Sequence, residues 1–316
     1  MPLKNDDLRI FIGSSHPELG KEIVKYLGLE PGKIKLSKFT GGETYARITE
    51  NVRGRKTVFV QTGTSSVNDN FMELFIVVDA LKRASAESIT VVVPHFAYAR
   101  QDKKSASREP ISARLIADLL TTAGINRIIT MDLHSDQIQG FFNVPLDHLT
   151  AMPLLASYIK QKKLKNVVVV APDTGRAKTA KKLGDRIKAD LAIIHKSRPN
   201  QQEAEVLHVV GDVKGKTVII VDDMIDTAGT ATRGVETLRR EGCNKDIYLV
   251  ATHPIFSGSA IEKLTEANFK EVVVTDSIPI QKEKQFKGLK VLSVAPLLGE
   301  AIKRNYEHKS ISSLFD

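Results

Sequence analysis

The chain has 316 residues, 42% of them hydrophobic, and carries 46 lysines and arginines against 37 acids, for a net charge of +9. This length favours two ordinary globular domains. The single cysteine, Cys243, excludes an internal disulfide framework and favours a reducing compartment. No apolar run approaches the ~18 residues of a membrane span and no cleavage signal opens the chain, so we expect a cytoplasmic protein without a membrane partner. The basic residues are scattered and do not alternate with aromatic ones, which favours polyanionic small substrates over nucleic acid.

Short β-branched runs alternate with amphipathic segments along the chain, and this favours an α/β fold with parallel sheets. In the first half, the pattern predicts strands at 9–13, 34–39, 45–48, 57–61, 89–93 and 127–131, and helices at 17–27, 70–83 and 111–123. The alternation restarts near residue 150, with strands at 167–171, 191–194, 218–221, 247–252 and 271–274 and helices at 152–160, 174–187, after 230 and near 259. We therefore predict two similar domains, 1–150 and 151–316, each a mainly parallel sheet flanked by helices.

The most informative stretch is Thr217 to Thr232, TVIIVDDMIDTAGTAT. Its apolar strand leads into the adjacent carboxylates Asp222 and Asp223. A turn of acidic and small residues then opens a helix pattern; it consists of Asp226, Thr227, Ala228, Gly229 and Thr230. Small residues at a helix N-terminus let backbone N–H groups face a phosphate, and the carboxylates could hold sugar hydroxyls or Mg²⁺. The alternative is an Asp-capped helix after a buried strand, but a cap needs one acid and this turn has three.

Two predicted strand ends in the first half carry polar groups. The strand at 89–93 is followed by Arg100, Gln101 and Asp102, which could grip anionic ligand groups or form an exposed charged loop. The strand at 127–131 is followed by His134, with acids on either side of it in the chain. An imidazole there could ligate a divalent metal, although a lone histidine is more often a structural hydrogen-bonding group.

The second half offers two more such strand ends. Asp173 follows the strand at 167–171 and could be a ligand, a helix N-cap or both. Lys196 and Arg198 lie two residues apart after the strand at 191–194, so an extended chain places them on one side. Residues 211–217, GDVKGKT, have one residue too few between their glycines for a phosphate-binding P-loop and precede a strand. We interpret them as a turn.

Taken in this order, the stretches resemble the ribose-phosphate pyrophosphokinase (PRPP synthetase) family over nearly the whole chain. The 217–232 motif alone is also similar to type I phosphoribosyltransferases, whereas ARQD and DLHSDQIQGFF distinguish the two. The resemblance implies two phosphoribosyltransferase-like domains. It also implies transfer of the pyrophosphoryl group of Mg-ATP to the C1 hydroxyl of ribose 5-phosphate, which yields phosphoribosyl pyrophosphate and AMP for nucleotide biosynthesis.

The resemblance also implies a role for each candidate residue. ATP would be bound by Phe39, Glu43, Arg100, Gln101, Asp102 and Lys103, the first two lining the adenine pocket of an adjacent subunit. Ribose 5-phosphate would be bound by Asp222, Asp223, Asp226, Thr227, Ala228, Gly229 and Thr230. His134 and Asp173 would ligate Mg²⁺, and the catalytic cations Lys196 and Arg198 would stabilise charge on the transferred group.

Family members form hexamers, and many are activated by inorganic phosphate and inhibited by ADP. The stretches that match the effector region contain Arg83, Ser107, Arg108, Ser310, Ser312 and Ser313. The adenine loop departs from the common Phe-Ser-Asp-Gly-Glu, since Gly41 replaces its carboxylate. The loop written Asp-Lys-Arg-Arg in the family is His-Lys-Ser-Arg here and keeps its outer cations. The alternatives are a phosphoribosyltransferase, for which we find no base-binding hood, and a non-catalytic regulatory relative, which only the altered adenine loop favours.

Overall fold

The computed structural model describes residues 7–197 and 206–314, and the chain divides into two compact units. The first unit contains residues up to 150, together with 277–279 and the segment from 293 onward, and the second contains 151–276 and 280–292. The predicted division placed everything after 150 in one domain. The return of the final segment to the first unit corrects that expectation.

The first unit is built on a five-stranded parallel sheet. Its elements run β1 (Leu8–Ile12), α1 (Pro17–Leu27), β2 (Ile34–Lys38), β3 (Thr44–Ile48), β4 (Lys56–Val60), α2 (Val67–Arg83), β5 (Ser88–Val93), α3 (Ser112–Ala123), β6 (Arg127–Met131) and β7 (Leu146–Leu149). The strand order is β1-β4-β5-β6-β7, and β2 and β3 form a separate antiparallel hairpin. Val91, Val92 and Val93 of β5 are fully buried, as expected of a central strand with helices on both faces.

The second unit is built on a seven-stranded sheet. Its elements run α4 (Met152–Gln161), β8 (Val167–Ala171), α5 (Ala177–Ile187), β9 (Asp190–Ser197), β10 (Val206–Val210), β11 (Thr217–Ile225), α6 (Gly229–Arg240), β12 (Ile247–Pro254), α7 (Ala260–Glu266), β13 (Glu271–Thr275) and β14 (Leu289–Leu292). The order is β10-β9-β8-β11-β12-β13-β14, parallel except for β10, which runs antiparallel to β9.

The strand order of the second sheet reverses between β8 and β11. From β8 the chain builds outward to β9 and β10, and then crosses to β11 and builds outward on the other side. A reversal of this kind opens a crevice at the carboxyl ends of the two strands, and ligands of open α/β sheets bind there. The residues that follow β8 and β11 therefore lie at the candidate ligand-binding crevice.

The chain returns to the first unit because its last helix, α8 (Ala295–Tyr306), packs against α1. The Tyr26 hydroxyl of α1 donates to Glu300 Oε2 at 3.1 Å. A Cβ on Gly299 would lie 2.5 Å from the Tyr26 ring, so only glycine permits this approach. Leu298 and Ile302 of α8 are buried. Their burial stabilises the association more than any single hydrogen bond does.

The α/β class and the mainly parallel sheets are confirmed, and most predicted elements agree with the structure to within a few residues. The predicted helix at 174–187 begins instead as a 3-10 turn, Thr174–Arg176, and becomes α-helical at Ala177. The strands β7, β10 and β14 and the helix α8 were not predicted. No helix among the described residues has the length and apolar character needed to cross a membrane.

Candidate functional site

The two adjacent carboxylates lie on a part of β11 that extends beyond its neighbour β8. Pairing of β11 with β8 ends at Ile220, whereas pairing with β12 continues to Ile225. Asp222 and Asp223 therefore lie just beyond the paired part of β8, at the strand reversal. The side chain of Asp222 is 24% exposed and that of Asp223 is 7% exposed.

A single arginine bridges the two acids. Arg176 Nε lies 3.1 Å from Asp222 Oδ1, and its terminal nitrogen Nη2 lies 2.6 Å from Asp223 Oδ2. Arg176 ends the 3-10 turn that follows β8, and its N–H donates to the Asp173 carboxylate at 3.1 Å. Asp173 therefore caps this turn, as one of its two sequence interpretations predicted.

The acid pair has unusual electrostatics. Burial, and then the neighbouring charge of Asp223, raise the pKa of Asp222 to about 8, while the Arg176 charge lowers it. One guanidinium faces two carboxyl groups, and this disfavours simultaneous ionisation of both acids. Such a pair can accept hydrogen bonds from two neighbouring hydroxyl groups, which is the chemistry of a sugar diol.

The turn after the acids ends in an open helix N-terminus. Ala228 adopts a left-handed conformation with φ 62°, and α6 begins after it without a side-chain cap from the described residues. Within the described chain, the N–H groups of residues 228–231 donate no hydrogen bond, and the first helical bond runs from Thr232 N–H to Ala228 O. A Cβ on Gly229 would meet only Thr227 Oγ1, at 3.8 Å. The resulting space, lined by N–H donors, suits a phosphate group.

Asp226 differs from the rest of the turn because it is tied to another segment. The Ser257 hydroxyl donates to Asp226 Oδ1, and the Ser257 N–H donates to Asp226 O at 3.1 Å. Asp226 therefore fixes the turn to the loop that follows β12. The sequence predicted no contact of Ser257 or Arg176 with these acids.

The first unit carries the residues predicted to bind ATP phosphates. Arg100, Gln101 and Lys103 are exposed on the loop between β5 and α3, and Asp102 is half-buried there. The Gln101 backbone anchors this loop, since its N–H donates to Tyr98 O at 3.0 Å and its carbonyl accepts from Ala113 N–H at 3.2 Å.

The predicted adenine residues form the tip of the β2–β3 hairpin. Phe39 N–H donates to Glu43 O at 2.9 Å, and the Phe39 ring, 56% exposed, meets Tyr45 edge-on at 5.5 Å. A Cβ at Gly41 would have no atom within 4 Å. The backbone therefore does not require glycine at the position where the family pattern has a carboxylate.

The two predicted metal ligands follow strands of different units, His134 after β6 and Asp173 after β8. Among the described residues, no group of three or more histidine, cysteine, aspartate or glutamate side chains could hold a metal ion. Near His134, Asp132 Oδ1 accepts the Thr150 hydroxyl at 2.7 Å, and Asp136 lies 3.7 Å from His148 Nδ1.

The structure describes the predicted catalytic cations only in part. Lys196 lies on β9, opposite Leu207 of β10, and its side chain is outside the described atoms. Arg198 is outside the described residues. Because β9 runs parallel to β8, Lys196 follows the same carboxyl edge of the sheet that carries Asp173.

The predicted effector residues all belong to the first unit. Arg83 ends α2 and pairs with Asp79 at 2.7 Å. Ser107 and Arg108 are exposed on the loop before α3. Arg304 of α8 donates to Ser310 O at 3.2 Å and to the Ser313 hydroxyl, while the Ser310 hydroxyl donates to Ser312 Oγ at 3.1 Å.

Comparisons with known proteins agree over the whole chain. The family model for the N-terminal domain of ribose phosphate pyrophosphokinase matches residues 8–124, and that for the phosphoribosyl synthetase-associated domain matches residues 199–316. The ribose-phosphate pyrophosphokinase of Oceanobacillus iheyensis is 50% identical over 313 residues, covering 99% of this chain and 98% of the relative. That of Bacillus caldolyticus is 50% identical over 309 residues, covering 98% of each.

A solved structure is similar to this chain over nearly its full length. The crystal structure of phosphoribosylpyrophosphate synthetase from Mycobacterium smegmatis is 45% identical in sequence, covers 96% of this chain and 100% of its own, and superposes with a TM-score of 0.91. The chain therefore belongs to the ribose-phosphate pyrophosphokinase family.

Proposed function

We propose that this chain transfers the pyrophosphoryl group of Mg-ATP to the C1 hydroxyl of ribose 5-phosphate, releasing phosphoribosyl pyrophosphate and AMP for nucleotide biosynthesis. The observation that carries the proposal is the crevice between β8 and β11. There the adjacent acids Asp222 and Asp223, both contacted by Arg176, precede the open N-terminus of α6 on one strand–turn–helix unit. A phosphorylated pentose has hydroxyl groups and a phosphate that match these two features.

The sugar would be held at both ends. The carboxylates of Asp222 and Asp223 accept its ring hydroxyl groups, and the N–H groups of residues 228–231 hold the 5-phosphate. The hydroxyl groups of Thr227 and Thr230 add donors, while Asp226, held by Ser257, fixes the turn. Contacts at both the ring hydroxyl groups and the 5-phosphate fix the position and the orientation of the C1 hydroxyl.

In the reaction, the C1 oxygen attacks the β-phosphorus of ATP, and the bond from that phosphorus to the oxygen bridging the α-phosphate breaks. The attacking C1 hydroxyl releases its proton to solvent, and AMP leaves with the bridging oxygen. This displacement needs no covalent enzyme intermediate, so the protein acts by in-line positioning and charge stabilisation. Lys196 and Arg198 supply positive charge at the transferred group, and Arg100, Gln101, Asp102 and Lys103 bind ATP.

The described residues suit Mg²⁺ bound mainly by substrate. Magnesium usually keeps several waters and takes one or two protein ligands together with substrate phosphates, so the lack of a three-residue cluster among the described residues fits it. His134 and Asp173 would each supply one ligand. The ion neutralises charge on the phosphates of ATP when it is bound.

The direct test is AMP release from ATP with and without ribose 5-phosphate, measured across inorganic phosphate concentrations and with added ADP. We expect release that depends on the sugar, rises with phosphate and falls with ADP. These effectors are proposed for the segments that contain Arg83, Ser107, Arg108, Ser310, Ser312 and Ser313. AMP release that does not depend on ribose 5-phosphate would contradict the proposed reaction.

The altered adenine loop gives a prediction about base selectivity. Gly41→Asp restores a carboxylate that can accept a hydrogen bond from the adenine amino group, and its Cβ meets no atom within 4 Å. Because a hydrogen bond to a charged group is worth about 1.5–3 kcal/mol, we expect the ratio of kcat/KM for ATP over GTP to rise about 10-fold. Gly41→Ala is the matched control and should leave this ratio unchanged. An unchanged ratio in Gly41→Asp would remove this position from adenine recognition.

We also propose that the chain works in the cytoplasm as a homo-oligomer, a hexamer as in its family. Three apolar side chains are exposed on adjacent helices of the first unit, namely Met72 of α2 and Leu115 and Leu119 of α3. Exposed apolar surface of this kind favours contact with another subunit.

The oligomer proposal predicts the effect of a charge on α3. The Leu115 side chain is 58% exposed, so it contributes little to the hydrophobic core of the first unit. Leu115→Asp should therefore preserve folding, while its charge opposes contact with another subunit. We expect light scattering after gel filtration to show a smaller assembly at micromolar concentration. Glu87→Gln, an exposed change elsewhere in the unit, serves as the control. An unchanged mass for Leu115→Asp would place the subunit contact on another surface.

A further inference from the structure

Arg176 forms a bridge between two strands that are distant along the chain. It follows β8, and its guanidinium reaches both acids of β11, at 3.1 Å from Asp222 Oδ1 and 2.6 Å from Asp223 Oδ2. Its side chain is only 15% exposed. We infer that Arg176 is a positioning residue that holds Asp222 and Asp223 together in the arrangement that receives the ribose hydroxyl groups. The inference rests on the proposed function.

The backbone of β11 alone does not explain this arrangement. Successive side chains of a strand point to opposite faces, and Asp222 and Asp223 are consecutive residues of β11. One guanidinium nevertheless contacts both carboxylates. An arginine edge presents its Nε and a terminal nitrogen as a rigid fork, and this geometry matches two separated carboxylate oxygens where a lysine ammonium offers a single point charge.

The contacts of the two acids leave Asp222 partly exposed. Asp222 Oδ1 accepts both from Arg176 Nε at 3.1 Å and from the Asp223 N–H at 2.8 Å. Asp223 Oδ1 accepts from the Met224 N–H at 2.8 Å, while its Oδ2 faces Arg176. The Asp222 side chain nevertheless stays 24% exposed, so a sugar hydroxyl can reach it. Arg176 therefore orients the acids without covering the more exposed one completely.

The arginine is itself fixed in place. Its N–H donates to Asp173 Oδ1 at 3.1 Å, within the short turn that links β8 to α5. β8 and β11 are hydrogen-bonded in parallel from Thr217 to Ile220. This strand pairing brings the turn that carries Arg176 next to the acids of β11.

The test compares Arg176→Lys, which keeps a charge but loses the fork, with Arg176→Gln, which loses both. Direct titration with ribose 5-phosphate in the absence of ATP gives Kd, and steady-state kinetics give KM and kcat. We expect Kd and KM for ribose 5-phosphate to rise about 10-fold in Arg176→Lys and about 100-fold in Arg176→Gln, with smaller changes in kcat. KM for ATP should stay within about twofold of wild type, as a loss confined to the sugar site requires.

Thermal unfolding separates positioning from structural support. Arg176→Gln removes the Arg176 charge beside the buried Asp223 and should lower Tm, whereas Arg176→Lys should keep most of the wild-type Tm but not the sugar affinity. If Arg176→Gln fails to fold, the Lys variant still decides the question. Arg240→Gln, at the exposed far end of α6, is the control and should match wild type.

Two results would overturn the inference. The first is an unchanged Kd and KM for ribose 5-phosphate in Arg176→Lys. The second is tighter sugar binding in either variant, which would mean that the guanidinium merely occupies the place of the sugar. Asp222→Asn separates this inference from the proposed function. If Asp222→Asn weakens sugar binding but the Arg176 variants do not, only the inference fails. If none of them changes sugar binding, the proposed ribose site fails.

Discussion

Replacing Lys196 with alanine should lower kcat by about 10²–10³ while leaving KM for ribose 5-phosphate nearly unchanged. Loss of one group that stabilises charge only in the transition state typically has an effect of this size. Lys196 lies on β9, which is paired in parallel with β8, and its backbone follows the edge that carries Asp173. Steady-state kinetics with both substrates provide the measurement, because a group acting in the transition state lowers kcat and kcat/KM together.

The control for this variant is a lysine at the opposite edge of the same sheet. Lys165 is exposed just before β8, so Lys165→Ala removes equal charge from the unit without approaching the carboxyl ends of the strands. Arg198→Ala and the double variant extend the test, and we expect the double loss to be smaller than the product of the single losses if both cations act on one group. An unchanged kcat for Lys196→Ala would remove this residue from the mechanism.

Asp223→Asn should raise KM for ribose 5-phosphate by about 10–100-fold, because hydrogen bonds to a charged group contribute about 1.5–3 kcal/mol. The substitution removes a carboxylate that is 7% exposed and lies 2.6 Å from Arg176. The asparagine keeps the shape of the side chain, so the loss reports charge and acceptor capacity. Titration calorimetry with ribose 5-phosphate checks the affinity without turnover.

The same pair predicts a pH dependence with a definite sign. The pKa of Asp222 is raised to about 8 by burial and by the charge of Asp223, so sugar binding that needs the ionised carboxylate should tighten as the pH rises through about 8. In Asp223→Asn the neighbouring charge is gone, and the midpoint of this transition should move to lower pH. Binding measured from pH 6 to pH 9.5 tests both statements.

The stability of the fold should fall with rising pH, whereas the sugar affinity should rise. A carboxyl group whose pKa is raised on folding holds a proton that the unfolded chain releases near its ordinary value of 3.8. The contribution of Asp222 to the free energy of unfolding is therefore fully present below about pH 4, and it is lost as the pH rises through about 8. In Asp223→Asn, the Tm measured by thermal unfolding from pH 6 to pH 9.5 should change less with pH than in wild type.

The matched control is Asp246→Asn, a carboxylate 3.6 Å from Lys270 at the amino edge of the same sheet. It should leave sugar affinity and both pH profiles as in wild type. If Asp223→Asn also left the midpoint of the binding transition unchanged, the two acids would not be coupled in the way that their geometry indicates.

The sequence by itself determined the fold class and indicated the segment that we propose binds the sugar. The α/β alternation is a repeated local pattern, and the acid pair, the small-residue turn and the helix start all lie within Thr217 to Thr232. A contiguous strand–turn–helix unit carries its own geometry, so reading it requires no knowledge of distant residues. The roles of Lys196, Arg198 and the effector residues came from family resemblance and remain predictions.

Only the tertiary structure decided which distant groups complete the site. The bridge from Arg176 to the acids depends on the parallel pairing of β8 with β11, and Ser257 reaches Asp226 only because β12 lies on the other side of β11. The return of α8 to the first unit depends on its packing against α1. None of these contacts has a local signature, because strand order and helix docking are set by burial of apolar faces over the whole domain.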